Sequence, residues 1–174
     1  NAVSDALLSG VTQIYSNRYA FVALKEDGSV VTWGNSRFGG DSTSISGELQ
    51  SGVTQIFSTD YAFAALKDDG SVVTWGSSYT GGDSSVWTYL NGAWTSDSVS
   101  AELQSGVTQI FSTQMGALAA LKEDGSVVTW GNSDRGGNSS AVSAELQSGV
   151  TQVFSSYVAF AALKDDGSVV TWGS

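Results

Sequence analysis

The segment that is most informative about the fold is ALKDDGSVVTWG, at residues 65–76. Almost the same twelve residues occur three more times, as ALKEDGSVVTWG at 23–34 and 120–131 and as ALKDDGSVVTWG at 162–173. The copies differ only in having aspartate or glutamate at one position. A chain that repeats one segment four times is an array of similar structural units, because each copy meets the same packing environment.

The repeating unit is 42 residues long. The pentapeptide SGVTQ begins at Ser9, Ser51, Ser105 and Ser148, so the successive intervals are 42, 54 and 43 residues. The long interval contains a twelve-residue insertion, assigned to 84–95, in the connection between two units. We therefore expect one repeat domain of 174 residues, with units at approximately 1–40, 41–82, 83–137 and 138–174.

Each unit is predicted to consist of β-strands. In the second unit, 53–57 combines polar residues with apolar ones and ends on the apolar pair Ile56-Phe57, 62–66 is almost wholly apolar, and 72–75 is β-branched and aromatic. Asp69-Gly70 lies between the last two segments and predicts a hairpin turn, since glycine accepts the positive φ that such a turn requires.

A period of about 42 residues with several short strands per unit is typical of the blades of a β-propeller. We therefore predict an all-β, propeller-like array of four blades of antiparallel strands. A fourth strand in each blade is assigned to 101–104 and its counterparts. The tryptophans of the repeated Trp-Gly pair are expected to pack between neighbouring blades: Trp33, Trp75, Trp130 and Trp172.

The composition excludes several functional classes. Seven lysines and arginines stand against seventeen aspartates and glutamates, a formal net charge of −10, which disfavours nucleic acid as a partner. The chain has no cysteine and no histidine, so thiol nucleophiles, imidazole bases and Cys/His zinc sites are absent. Its glutamates recur at equivalent positions, which is typical of structural residues. We expect no enzyme activity, no cofactor, no metal site and no membrane insertion.

The repeat resembles that of a known family. The pattern Gly-Val-Thr-Gln-Ile, followed by Ala-Phe-Ala-Ala-Leu-Lys-Asp-Asp-Gly-Ser-Val-Val-Thr-Trp-Gly, is similar to the regulator-of-chromosome-condensation repeat. It is most similar to bacterial members such as the propeller-type β-lactamase inhibitory protein, and the resemblance covers all four units. It implies a β-propeller and, for the bacterial branch, a protein-binding face built from loops. Propellers of this family usually have seven blades.

Four units leave three arrangements open. The chain closes as a small ring, or copies of it complete a larger ring or stack into a filament, or it is a piece of a longer array. A closed ring or a ring completed by association is favoured over an open monomer. The sequence begins at Asn1 without methionine, as expected of a processed form or a fragment.

Two loops differ among the units while the strands stay constant. The first follows the strand that ends in Phe-Ser or Tyr-Ser, and the second follows Trp-Gly. Variable loops on a constant scaffold are where repeat proteins bind partners, and tyrosine and arginine are enriched at protein interfaces. With the aromatic residues of the insertion, the predicted partner-binding residues are Arg18, Tyr19, Arg37, Phe38, Tyr61, Tyr79, Trp87, Tyr89, Trp94, Met115, Arg135 and Tyr157.

The leading functional hypothesis is a non-enzymatic, protein-binding propeller whose partner is another protein or further copies of the chain. Two alternatives remain open. One is a self-assembling extracellular structural or filament protein, possible as a homo-oligomer, and the other is a carbohydrate-binding propeller that stacks sugars on aromatic rings. Few basic residues and much serine, threonine and glycine favour an extracellular or surface location.

Overall fold

Each of the four units contains three antiparallel strands that form a blade in the computed structural model, which describes residues 2–90 and 93–174. A short helix α1 (Ala2–Ala6) precedes blade 1. The strands of blade 1 are β1 (Val11–Ser16), β2 (Ala20–Lys25) and β3 (Val30–Gly34). Those of blade 2 are β4 (Val53–Ser58), β5 (Ala62–Lys67) and β6 (Val72–Gly76).

Two strands formed by the insertion, β7 (Ser85–Leu90) and β8 (Ala93–Ser98), precede blade 3. The strands of blade 3 are β9 (Val107–Ser112), β10 (Ala117–Lys122) and β11 (Val127–Asn132). Those of blade 4 are β12 (Val150–Ser155), β13 (Ala159–Lys164) and β14 (Val169–Gly173). The all-β prediction is confirmed, and no helix in the described residues has the length and apolar character that crossing a bilayer requires.

The Asp-Gly pair forms the predicted hairpin turn. In blade 2, the Gly70 amide donates to the Lys67 carbonyl at 3.0 Å, and Gly70 has a φ of 75°. The Asp69 carboxylate accepts hydrogen bonds from the amide and the hydroxyl of Ser71, at 2.9 and 2.6 Å. A Cβ on Gly70 would lie 2.9 Å from the amide nitrogen of Gly106 in blade 3. Glycine is therefore required both by the turn and by the close approach of the next blade.

The fourth strand assigned to 101–104 is wrong. These residues form a turn, and Leu103 is fully buried in the cluster between blades 2 and 3. The third strand of each blade is its outer strand. In blade 2 this is β6, and the amide of its first residue, Val72, donates to the Leu103 carbonyl at 2.9 Å. Leu49 and Leu146 accept an equivalent hydrogen bond in the other connections. The outer strand thus receives a single hydrogen bond from the connection there instead of a fourth strand.

Three of the four repeated tryptophans pack between blades as predicted. The indole N–H of each donates to a glycine carbonyl of the preceding blade, at 3.0 or 3.1 Å: Trp75 to Gly39, Trp130 to Gly81, and Trp172 to Gly136. Trp33 is an exception, because no blade precedes it among the described residues. It is half-buried and stacks on Phe21 of its own blade, with ring centroids 5.4 Å apart.

The insertion forms two strands. Because it lies in a connection between two units, we would expect it to add no strand to the blades. β7 and β8 form an antiparallel hairpin, and β7 pairs in parallel with β11 through Val86 opposite Gly131 and Trp87 opposite Asn132. The β-branched and aromatic residues of β7 suit a strand, and the outer strand of a blade offers unpaired backbone groups. The sheet of blade 3 consequently has five strands, in the order β8-β7-β11-β10-β9.

The four blades form an open arc. One apolar cluster joins blades 1 and 2, a second joins blades 2 and 3, and a third joins blades 3 and 4. Within the described residues, no core cluster joins blade 4 to blade 1, and Ile14 and Val169 at the two ends are 62 % and 61 % exposed. The chain therefore does not close on itself as the small four-bladed ring that the repeat count allows.

Candidate functional site

Both variable loops lie at the same end of each blade. Because the strands are antiparallel, the first loop and the end of the outer strand share one end, and the Asp-Gly turn lies at the other. A polar side chain of the first loop donates to a carbonyl of the second: Asn17 to Phe38 at 2.7 Å, Thr59 to Thr80 at 3.2 Å, and Thr113 to Arg135 at 3.3 Å. We refer to these two ends as the loop face and the turn face.

The charge of −10 is distributed unevenly between the two faces. The turn face carries two adjacent carboxylates against one lysine in each of its four turns. The carboxylates are Glu26, Asp27, Asp68, Asp69, Glu123, Asp124, Asp165 and Asp166, and the lysines are Lys25, Lys67, Lys122 and Lys164. All three arginines lie on the loop face. An acidic partner is therefore repelled less by the loop face than by the turn face.

The second carboxylate of each turn is used to build the turn. Hydrogen bonds from the hydroxyl and the amide of Ser71 hold the pKa of Asp69 below its ordinary value, and the same geometry lowers the pKa of Asp27, Asp124 and Asp166. In the described part of the chain, no group of three acidic side chains is placed to hold a metal ion.

Four of the predicted binding residues meet on the loop face where blades 1 and 2 join. The ring centroids of Tyr19 and Phe38 are 4.8 Å apart, those of Tyr19 and Tyr61 are 5.8 Å apart, and those of Phe38 and Tyr61 are 5.4 Å apart. A guanidinium nitrogen of Arg18 donates to the Tyr61 hydroxyl at 3.2 Å. We refer to Arg18, Tyr19, Phe38 and Tyr61 as the aromatic patch.

Asp60 holds the aromatic patch in place. Its carboxylate lies 3.5 Å from the Arg18 guanidinium, the only ion pair among the described residues, and its carbonyl accepts the Arg18 amide at 3.3 Å. The Asp60 side chain is only 9 % exposed, whereas that of Arg18 is 59 % exposed. The arginine is therefore oriented by a buried acid while it remains accessible, which lowers the entropy lost on binding.

The predicted set leaves out Asp60, although the sequence contains a signal for it. Asp60 is the only acidic residue in the first loops of the four units, and the preceding unit has Arg18 at the same position. Opposite charges at equivalent positions of adjacent repeats face each other when the repeats stack side by side. This comparison would have identified the pair.

A second aromatic contact links blade 2 to the insertion. The rings of Tyr79 and Trp87 are 4.8 Å apart and inclined at 59°. The Trp87 indole N–H lies 3.1 Å from both carboxylate oxygens of Asp83. The side chains of Tyr89 and Trp94, which belong to the predicted set, lie outside what the structure describes.

The other predicted residues are spread along the arc. Arg37 is exposed on a short 3₁₀ turn of blade 1, and Arg135 is half-buried in the corresponding turn of blade 3. The Met115 amide donates to the Tyr157 carbonyl at 3.3 Å, and Tyr157 is exposed at the end of the arc. The structure thus brings four of the predicted residues together in the aromatic patch, whereas Arg37, Met115, Arg135 and Tyr157 lie apart from it.

Comparison with known proteins identifies the class of fold. Residues 11–39 match the model of the regulator of chromosome condensation (RCC1) repeat, and no curated protein matches the chain. Prp20p from Saccharomyces cerevisiae is similar over 94 % of this chain and 44 % of its own, with 17 % identity and a TM-score of 0.58. Human WBSCR16 is similar over 94 % of this chain and 47 % of its own, with 22 % identity and a TM-score of 0.59.

The chain therefore has the fold of an RCC1-type propeller, and its other three units repeat the matched sequence. It spans less than half of the length of Prp20p and of WBSCR16.

Proposed function

We propose that this chain is a non-enzymatic protein-binding module and that the aromatic patch on its loop face is the centre of the binding surface. The observation that carries the proposal is the arrangement of Arg18, which is accessible yet fixed by Asp60 and Tyr61. Arginine and tyrosine dominate the energetics of protein interfaces, above all where they are held in position before binding.

The solved structures with this fold support protein binding as its use. Prp20p is described with its binding properties to Gsp1p and histones, and yeast RCC1 (Prp20) is described bound to Kap60. These are properties of those proteins, at 17 % and 18 % identity to this chain. Membership of the bacterial branch, to which the repeat motif is similar, is part of the proposal, as is an extracellular or surface location.

The patch favours a particular partner chemistry. A partner that places a carboxylate on the guanidinium of Arg18 gains a charge-assisted hydrogen bond, and its apolar side chains can pack on the exposed ring of Tyr19. Sugar stacking is less well supported, because the indole of Trp87 is inclined against Tyr79 and bound to Asp83 instead of offering an open face.

The test compares partner capture by the wild-type chain and by the double variant Arg18→Ala/Tyr19→Ala. Loss of hot-spot side chains costs about 2 kcal/mol or more, so we expect the affinity for a captured protein to fall at least about thirtyfold. Arg135→Ala is the matched control, since it removes an arginine from the same face two blades away. Equal loss in both variants would contradict the patch, and a chain that captures no protein would contradict the function.

A further inference from the structure

The two ends of the arc expose surfaces that are buried wherever two blades meet. We define the N-terminal edge as the side of blade 1 that no blade covers, with Leu7, Val11, Ile14, Phe21 and Trp33. We define the C-terminal edge as the uncovered side of blade 4, with Phe154, Tyr157, Gly167 and Val169. Equivalents of the apolar residues of both sets take part in each internal interface.

The exposure of these residues shows what is missing at each end. Ile14 is 62 % exposed, but its equivalents in the other blades are at most 4 % exposed: Ile56, Ile110 and Val153. At the other end, Val169 is 61 % exposed, whereas its equivalents Val72 and Val127 are at most 9 % exposed and Val30 is half-buried. The interior blades cover these apolar positions with the next blade, and the two ends leave them in water.

Three backbone hydrogen bonds recur at every internal interface. Between blades 1 and 2, the Val53 amide donates to the Gly28 carbonyl at 3.1 Å, the Val30 amide to Leu49 at 2.9 Å, and the Arg18 amide to Asp60 at 3.3 Å. The next two interfaces repeat them: Val107 to Gly70, Val72 to Leu103, Asp60 to Gln114, Val150 to Gly125, Val127 to Leu146, and Met115 to Tyr157.

At the ends of the arc, the corresponding groups have no partner within the described chain. The N-terminal edge offers the Val11 amide and the carbonyls of Leu7 and Arg18. The C-terminal edge offers the Gly167 carbonyl and the amides of Val169 and Tyr157. By the pattern of the internal interfaces, the Val11 amide would donate to the Gly167 carbonyl of another copy. The amides of Val169 and Tyr157 would donate to the carbonyls of Leu7 and Arg18.

We propose that the C-terminal edge of one copy of this chain binds the N-terminal edge of a second copy, head to tail. The repeat indicates what binds the C-terminal edge. Blades 2, 3 and 4 each present the same surface to the blade before them, and a blade that follows blade 4 would have to present that surface too. Blade 1 of a second copy carries that surface. Two such junctions between two copies give an eight-bladed ring, within the four to eight blades of known propellers.

The junction differs from an internal interface because it joins two copies of the chain, each with a net charge of −10. The junction is therefore weaker than an internal interface, and we expect it to tighten as added salt screens the repulsion between copies.

Two single variants test the direction of the contact. Ile14→Lys places a charge on the N-terminal edge, and Phe154→Glu places one on the C-terminal edge; both side chains are exposed, so the blades should fold in either variant. We expect the wild-type chain to sediment with the mass of two or more copies and each variant with the mass of one. Circular dichroism reports whether each variant keeps its strands.

Mixing the two variants gives the decisive result. The Ile14→Lys copy retains its C-terminal edge and the Phe154→Glu copy retains its N-terminal edge, so an equal mixture should form one junction and sediment as a dimer. Leu8→Gln is the control: Leu8 is 82 % exposed beside the N-terminal edge, and the other units have an exposed glutamine there. This variant should associate like the wild type.

Three outcomes would overturn the proposal. The first is a wild-type chain with the mass of one copy at all protein and salt concentrations. The second is association that persists in either single variant, which would mean that like edges pair with each other. The third is a mixture that stays monomeric. None of these outcomes bears on the aromatic patch, which lies on the loop face.

Discussion

At the scale of single residues, the repeat keeps one amino acid wherever two physical demands coincide. Gly70 has a positive φ and faces the backbone of Gly106 across the blade interface, so no side chain fits. Gly167 occupies the same turn in blade 4 with a φ of 82°, but no atom lies within 4 Å of the position that its Cβ would take. A substitution at Gly167 therefore strains only the turn, whereas the same substitution at Gly70 strains the turn and also disrupts the contact between blades.

We expect Gly70→Val to destabilise the chain more than Gly167→Val does. Positive φ alone costs a β-branched residue about 1–3 kcal/mol, and both variants bear this cost. Gly70→Val also forces apart the backbones that join Gly70 to Val107. Urea unfolding of dilute protein measures both free energies. Equal losses would show that the close approach between blades contributes nothing to stability.

The turn carboxylates predict a specific dependence on pH. The Ser71 hydroxyl, and then its amide, lower the pKa of Asp69 in the folded chain, so this interaction stabilises the fold above the pKa of an unfolded aspartate, about 3.9. The stabilisation is lost as pH falls through the lower, folded pKa. Ser71→Ala should therefore be less stable than the wild type near neutral pH, and the difference should shrink at about pH 2.

Urea unfolding at the two pH values checks this expectation. Ser46→Ala is the control, because the hydroxyl of Ser46 makes no hydrogen bond to a described carboxylate. A Ser71→Ala deficit that is the same at both pH values would mean that the hydroxyl does not act through the charge of Asp69.

At the scale of elements, the hairpin of β7 and β8 is an addition to a connection that the other units make in seven residues. The Ser84 hydroxyl lies 2.7 Å from that of Thr74, and Ser42 and Ser139 make the same contact with their own outer strands. The insertion therefore begins after Ser84, at 85–96. Deleting 85–96 or 84–95 yields the same sequence, since residues 84 and 96 are both serine.

We expect the chain without this insertion to fold. The deletion leaves DSDSVSA, which is similar to DSTSISG at 41–47, and it removes only two positions of pairing between β7 and β11. Thermal unfolding should show one cooperative transition, lowered by a few degrees because Val86 no longer packs on the cluster of blades 2 and 3.

Trp87→Ala in the intact chain is the control for the loss of the contact with Tyr79 alone. A deletion variant without a cooperative transition would mean that the hairpin belongs to the core of blade 3. Partner capture by the deletion variant also tests whether the insertion contributes to binding.

At the scale of the whole molecule, stability should vary along the arc. Blades 2 and 3 are covered on both sides, whereas blades 1 and 4 each have one neighbour. In a repeat array, stability is approximately the sum of the blades and the interfaces between them. In separate copies of the chain, as at high dilution, the terminal blades should therefore open before the central blades.

Hydrogen exchange measures this gradient. We expect the amides of β5 and β10 to exchange more slowly than those of β2 and β13, which occupy the same place in the terminal blades. The strands have nearly the same sequence, so each pair is its own control. Uniform exchange across the four strands at high dilution would contradict an open arc.

The three strands of each blade, the Asp-Gly turns and the role of Trp75, Trp130 and Trp172 could be predicted from the sequence, whereas the strands of the insertion could not. Strand periodicity and turn chemistry are local, so they can be read within one unit. A repeated side chain also indicates a repeated interface. The loop residues could be predicted as a set for the same reason, since variation within a constant scaffold is visible in the sequence.

Which of those loop residues meet depends on how the blades pack against each other. Arg18 reaches Asp60 and Tyr61 because the stacking of blades places residues one repeat apart side by side, a distance that no local pattern reports. Leu103 lies in a segment that is predicted as a strand, yet it forms a buried contact in a turn, because blades 2 and 3 enclose its side chain and the Val72 amide donates to its carbonyl. The open arc likewise depends on the angle between successive blades, which is set by side-chain packing at their interfaces and not by the repeat period.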